Sequence, residues 1–142
     1  MTTTLSDMIN EVSMNLSGYT LTQDRATHLT AAVTTTTSTI ASPLILSLGS
    51  TDNVGKGVVE IDEELLFVDN FDRVSNTATV SPFGRGYLGT TAATHTSESK
   101  VTISPTFPRF SIKRAINDTI KGLSGTLFAA DTTTITYNSA VS

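Results

Sequence analysis

Two groups of residues in this 142-residue chain have the types and spacing to do chemistry. Phe83-Gly84-Arg85-Gly86-Tyr87-Leu88-Gly89 sets a cation among three glycines, the ingredients of a phosphate-cradling loop. Such a loop follows a strand and opens a helix, usually through Lys-Ser/Thr. Here Thr90 to Thr96 is a poor helix former, and the next lysine is Lys100. The same stretch closes on His95, which could activate a nucleophile. A Ser-His-Asp set can be assembled on paper from this many Ser and Asp, so that freedom carries no information. Glu60, Asp62, Glu63 and Glu64 form the second group, open to calcium binding or carboxylate-pair hydrolysis. A calcium loop wants Asp or Asn at alternate positions with a glycine and a distant Glu. Strand alternation instead sends Glu60, Asp62 and Glu64 to one face, as a solvated surface or a salt bridge to Arg85. With no Trp and few aromatics, nothing in the chain supports a substrate cleft. No catalytic residue, metal or cofactor is expected.

The same residues have a structural reading. Gly84, Gly86 and Gly89 permit positive φ or close backbone approach at bends and bulges. Tyr87 and Leu88 can cover the end of a barrel. Arg85 can reach Glu64 or Asp62 in a bidentate pair that pins the loop. His95 can bond to backbone or to a nearby acid.

The elements that must position these groups follow from composition and pattern. Hydrophobic residues make up 38% and charged residues 15%, both low for a globular chain. Threonine fills the gap at roughly a fifth of the chain, and its β-branch favours extended backbone. The net charge of −4 argues against a dedicated nucleic-acid binder. Without cysteine there is no disulfide, zinc-thiolate site or thiol catalysis. No stretch approaches the roughly 18 apolar residues of a membrane span. MTTTLSDMIN lacks the basic and apolar regions of a secretory leader.

Leu5, Met8, Ile9, Val12 and Leu16 form one apolar stripe, predicting a helix over Thr4–Leu16 with Asp7 in its first turn and Gly18 at its end. Leu21 to Val33 reads as a weak second helix, with Leu21, Ala26, Leu29, Ala32 and Val33 as its apolar positions. Short strands follow: Leu44–Leu48, Gly57–Asp62, Glu64–Asp69, a hairpin about Ser75-Asn76-Thr77, and Lys100–Ser104. Ile112, Ala115, Ile116, Thr119, Ile120 and Leu123 predict a second strong helix, begun at Phe107 or Phe110 with Pro108 in its first turn. Thr132 to Tyr137 alternates as a terminal strand. The expected fold is α+β. A small antiparallel β-barrel or sandwich module is inserted between two amphipathic helices that pack together. The boundaries are 1–33 for the N-terminal helical segment, 34–105 for the β-module, 106–130 for the C-terminal helix and 131–142 for the terminal strand.

Over residues 43–104 the blocks Glu60-Ile61-Asp62-Glu63-Glu64-Leu65-Leu66-Phe67-Val68, Asn76-Thr77-Ala78-Thr79-Val80, Gly84-Arg85-Gly86-Tyr87-Leu88-Gly89-Thr90-Thr91-Ala92-Ala93-Thr94-His95 and Lys100-Val101-Thr102-Ile103 occur in order. This resembles a β-module of tailed-bacteriophage structural proteins. The pattern is an I-D-x-E strand pair, a Thr/Val hairpin, then RG-aromatic-x-GT-T/S-A-A-x-H. Asp62, Glu64, Arg85, Gly86, Tyr87, Gly89 and His95 are its structural positions. The flanking helices, with Phe107-Pro108-Arg109-Phe110 leading into Ile112-Lys113-Arg114-Ala115-Ile116, resemble those of head-to-tail connector (adaptor) proteins.

The resemblance implies a non-enzymatic virion protein at the head-tail junction, assembled in the host cytoplasm. It would form a homo-oligomeric ring, twelve-fold among the candidate symmetries, beside the portal protein and tail or tail-completion proteins. It implies no membrane contact. Leu5, Met8, Ile9, Val12, Arg109, Lys113, Ile116 and Ile120 are the expected interface residues on the helices. Arg109, Lys113, Arg114 and Lys121 are candidates for contact with portal or with DNA in the channel, against a plain solvated face. A tail-fibre or baseplate subunit is the alternative, and a small hydrolase a remote one.

Overall fold

Thr4 starts the first helix by the reciprocal bonding that its spacing to Asp7 allows. The Asp7 amide donates to Thr4 Oγ1 at 3.2 Å, and the Thr4 amide donates to Asp7 Oδ2 at 2.9 Å. The computed structural model describes residues 3–34 and 37–123. Within them lie helix α1 (Leu5–Ser17), strands β1 (Arg25–His28), β2 (Ile45–Ser47), β3 (Gly57–Ile61), β4 (Glu64–Asp72), β5 (Thr77–Val80) and β6 (Lys100–Ile103), and helix α2 (Arg109–Leu123). A short turn at Tyr87–Gly89 precedes β6. The terminal strand expected from Thr132, and the end of the 106–130 segment, lie outside the described residues.

The strands form one antiparallel, curled sheet in the order β1-β6-β3-β4-β5-β2. Its two outer strands meet at a bridge between Leu29 and Leu48. There the Thr30 amide donates to the Ser47 carbonyl and the Gly49 amide to the His28 carbonyl, both at 2.9 Å. The inward face carries Leu29, Leu46, Val59, Ile61, Leu66, Val68, Ala78, Val80 and Val101, all buried. An extra residue in β4, between Val68 and Asn70, shifts the register against β5. That bulge resets the alternation, so Phe71, opposite Ala78, packs against the core.

The fold is α+β, with the sheet lying between two helices that pack on one another. One boundary changes. The segment 1–33 is not wholly helical, because β1 falls inside the expected weak helix at Leu21–Val33. Its apolar residues do not share a face: Leu21 is fully exposed, whereas Leu29 and Val33 turn into the barrel. Pairing with β6, from Arg25↔Ile103 to His28↔Lys100, outweighs a weak helical period rich in β-branched threonine.

The helices cover the outer face of the β3–β4 hairpin. Ile9 and Ile112 are both buried, and Arg109 Nη1 donates to Asn10 Oδ1 at 2.7 Å across the helix pair. Ile112→Ala should therefore cost about 2–4 kcal/mol, read as a fall in the urea midpoint. A loss below about 0.5 kcal/mol would mean that α2 is not anchored there.

Candidate functional site

Asp62 and Glu63 connect β3 to β4 in a two-residue turn, with Asp62 at φ 55°. The reversal pairs Ile61 with Glu64 and Glu60 with Leu65. Cross-strand partners share a face, so Glu64 points inward with Ile61, while Glu60 points outward beneath the helices. This corrects the sequence-based expectation that Glu60, Asp62 and Glu64 share one face. Alternation holds along a strand, but the turn resets it.

Inside, Glu64 has no exposed side-chain surface and Arg85 almost none. Arg85 Nε donates to Glu64 Oε1 and Nη2 to Oε2, both at 2.7 Å, the bidentate pairing expected of this arginine. Arg85 also donates to the backbone carbonyls of Thr34 and Ala93. Glu64 further accepts from the Gly86 amide at 3.1 Å and the Ala93 amide at 2.9 Å. His95 completes the cluster, with Nε2 at 2.8 Å from Glu64 Oε2 and Nδ1 at 2.7 Å from Asp62 Oδ2. Both partners of His95 are carboxylates. When both are ionised, each ring nitrogen must donate, and the ring is an imidazolium. Arg85 and His95 then balance Asp62 and Glu64 in charge. Among the described residues, no buried side-chain nitrogen or oxygen lacks a hydrogen-bond partner.

Burial pushes the Glu64 carboxyl up, but bonds from Arg85, His95 and the Ala93 and Gly86 amides more than reverse this and hold it at about 2. For His95, burial lowers the pKa, and the bonds and charges of Glu64 and Asp62 outweigh it, leaving a net rise. Glu60 is the opposite case. Burial raises it to about 7, against weaker lowering by the Arg109 amide that Glu60 Oε1 accepts at 2.6 Å, the Arg109 charge and Lys100.

The loop geometry follows from the cluster. Gly86 has φ 60°, and a Cβ there would stand 2.7 Å from the Thr90 carbonyl oxygen. Gly84 has no room either, since a Cβ would lie 2.7 Å from the Phe67 carbonyl oxygen. Gly89 takes φ 84°. Tyr87 lies against Phe67, ring centroids 5.2 Å apart, but its neighbour Leu88 points into solvent instead of covering the barrel. Thr90 Oγ1, the threonine of the GT pair in the quoted pattern though not among its named structural positions, accepts from the Leu65 amide at 3.0 Å. The carbonyls of Thr34 and Ala93 have no side-chain signature that could have flagged them.

Asp62, Glu64, Arg85, Gly86 and His95 thus converge, and their charged atoms are turned on one another. Such a cluster can pin a loop; of its charged side chains only Asp62 is largely exposed, and its Oδ2 is bonded to His95. The helix residues are dispersed. Ile9 is spent inside the monomer, Leu5, Met8, Val12 and Ile116 are half-buried, and Ile120 is exposed. Arg109 meets Asn10, and Lys113 Nζ lies 2.6 Å from Glu63 Oε2. Among the described residues, no group of three His, Cys, Asp or Glu is placed to hold a metal ion, and no helix is long and apolar enough to cross a membrane.

No family model, curated protein or solved structure matches the chain.

Two measurements probe the cluster. Arg85→Ala strands the buried Glu64 carboxylate and should destabilise by about 3–5 kcal/mol, with Arg85→Lys recovering only part because it lacks the fork. An unchanged denaturation midpoint would rule out the pin. The pH profile should peak in mild acid. The contribution of Glu64, pKa lowered from 4.5, is present above 4.5 and lost as pH falls toward 2. Glu60, raised from 4.5, contributes below 4.5 and loses it as pH rises through about 7; His95, raised from 6.5, contributes below 6.5 and loses it above its folded value. Glu60→Gln should therefore flatten the alkaline fall, gaining up to about 3 kcal/mol at pH 8 and nothing at pH 4. An equal effect at both pH values would contradict the assignment.

Proposed function

We propose that the chain is a structural virion protein of a tailed phage, a subunit of a head-to-tail connector ring between portal and tail. The observation that carries the reading is the cluster itself. Five of the residues quoted for the β-module, Asp62, Glu64, Arg85, Gly86 and His95, meet in one network centred on the buried Glu64–Arg85 pair, as a framework motif requires. Their role as framework favours assembly over catalysis, because Arg85, Glu64 and His95 are buried and spend their donors and acceptors on one another, on Asp62 and on backbone. The order helix, sheet, helix agrees with the connector resemblance of the flanks. A charge-poor, Thr-rich surface suits repeated subunit contacts, since few charges must lose water.

With Ile9 consumed internally, the assembly contacts left on the helices are the half-buried Leu5, Met8, Val12 and Ile116, the exposed Ile120 and the basic residues of α2. The deciding measurement is the particle mass of the full chain, alone and mixed with a portal ring. A high-order ring in at least one of the two conditions is expected, and Ile116→Asp with Ile120→Asp should abolish it while the monomer stays folded. A trimer indifferent to portal would move the reading to a tail-fibre or baseplate subunit. A monomer indifferent to portal would remove the connector reading.

A further inference from the structure

Two residues of the pinned loop hold a backbone conformation that bulky side chains disfavour. Phe83 has φ 60° and Leu88 φ 55°, in the left-handed region. Their side chains are 76% and 68% exposed, so the monomer gains no burial in return for the strain. Strain that the surrounding structure enforces, joined to an exposed apolar side chain, points to a contact made elsewhere.

Leu88 stands beside a groove of about 460 Å³ lined by Leu65, Phe110 and Ala115. The groove is edged by one cation and one anion, Arg114 and Asp118, a single turn apart on α2. Both are exposed, and neither has an ion-pair partner among the described residues. A face that carries an apolar knob, a hollow beside it and both signs of charge is complementary to itself. Across a two-fold axis, residue i meets j while j meets i. With the axis crossing this face midway between Arg114 and Asp118, two α2 helices run antiparallel and Arg114 of each copy faces Asp118 of the other. Each Leu88 then enters the other copy's groove.

We infer that this face pairs two copies of the chain about a two-fold axis. The pairing goes beyond the ring reading, because a ring closes through head-to-tail contacts and this contact is isologous. The contact is small, so its dissociation constant should be on the order of tens of micromolar.

Sedimentation equilibrium of the full chain over a concentration series tests it. A monomer–dimer equilibrium is expected, with Leu88→Glu, Arg114→Asp and Asp118→Arg each weakening it about tenfold or more. The double variant R114D/D118R should restore pairing. Equimolar R114D and D118R chains should pair with each other although neither pairs with itself. Leu88→Gly relieves the backbone strain, so it should weaken association without lowering the melting temperature; all these positions are exposed, which keeps folding separate from pairing. A chain that stays monomeric throughout overturns the proposal. So does a dimer indifferent to Leu88→Glu and charge reversal, or a double variant without rescue. If only portal binding is lost on Leu88→Glu, the face belongs to that partner and not to a second copy.

Discussion

Glu64 puts a full negative charge on the inward face of a sheet whose other inward side chains include Val59, Ile61, Leu66 and Val68. A buried carboxylate is tolerated only when its lone pairs are met and its charge is opposed. The fork of Arg85, the ring of His95 and the amides of Gly86 and Ala93 do both. Most of the loop's conformation is the geometry needed to bring those donors in. Gly84 and Gly86 let the chain pass close to other backbone, Arg85 turns inward between them, and His95 is bridged to Val33 through paired backbone bonds of 2.8 and 2.9 Å. Phe83 and Leu88, on either side of the arginine, take the strained angles left to them. The ion cluster contributes less as raw stability than as specification: a partial version of it would be worse than an apolar core, so the loop has one acceptable arrangement.

The same hairpin carries a second carboxylate on its other face under contrary conditions. Glu60 meets the first amide of α2 and is covered by the helices, with no bidentate cation to offset its loss of water. Burial there favours its protonated form over the pull of the Arg109 amide, whereas Glu64 and His95 tie the loop best when charged. One two-residue turn therefore separates two glutamates with opposite preferences for pH. The outer layer and the inner pin respond differently to the same change in solvent.

What could be read from the sequence divides along local and long-range lines. The capping of α1 by Thr4 and Asp7 is a spacing of three residues, and the structure shows it. That Arg85 pairs with Glu64 or Asp62 was legible because an arginine between glycines needs a nearby acid, and the structure selects Glu64. Alternation alone misplaced Glu60 relative to Glu64, since which face a residue takes after a hairpin depends on the turn length. β1 was missed because its four residues are largely exposed and gain their order from β6, far along the chain at Arg25↔Ile103. The acceptors of Arg85 at Thr34 and Ala93 are backbone carbonyls, which every residue has and no sequence pattern marks.

β1 has one more consequence. The chain comes out of α1 into β1 and leaves β6 for α2, and these two strands are hydrogen-bonded neighbours with Arg25 opposite Ile103. Entry and exit of the whole sheet are thus about 5 Å apart, the spacing of two paired strands. A cassette with adjoining ends asks almost nothing of its host: it can be grafted into a helical frame, or lengthened at its far loops, without forcing the helices apart. The graft must begin before Arg25, because a cut at residue 34 would strip β1 from the outer side of β6 and leave His95 without Val33.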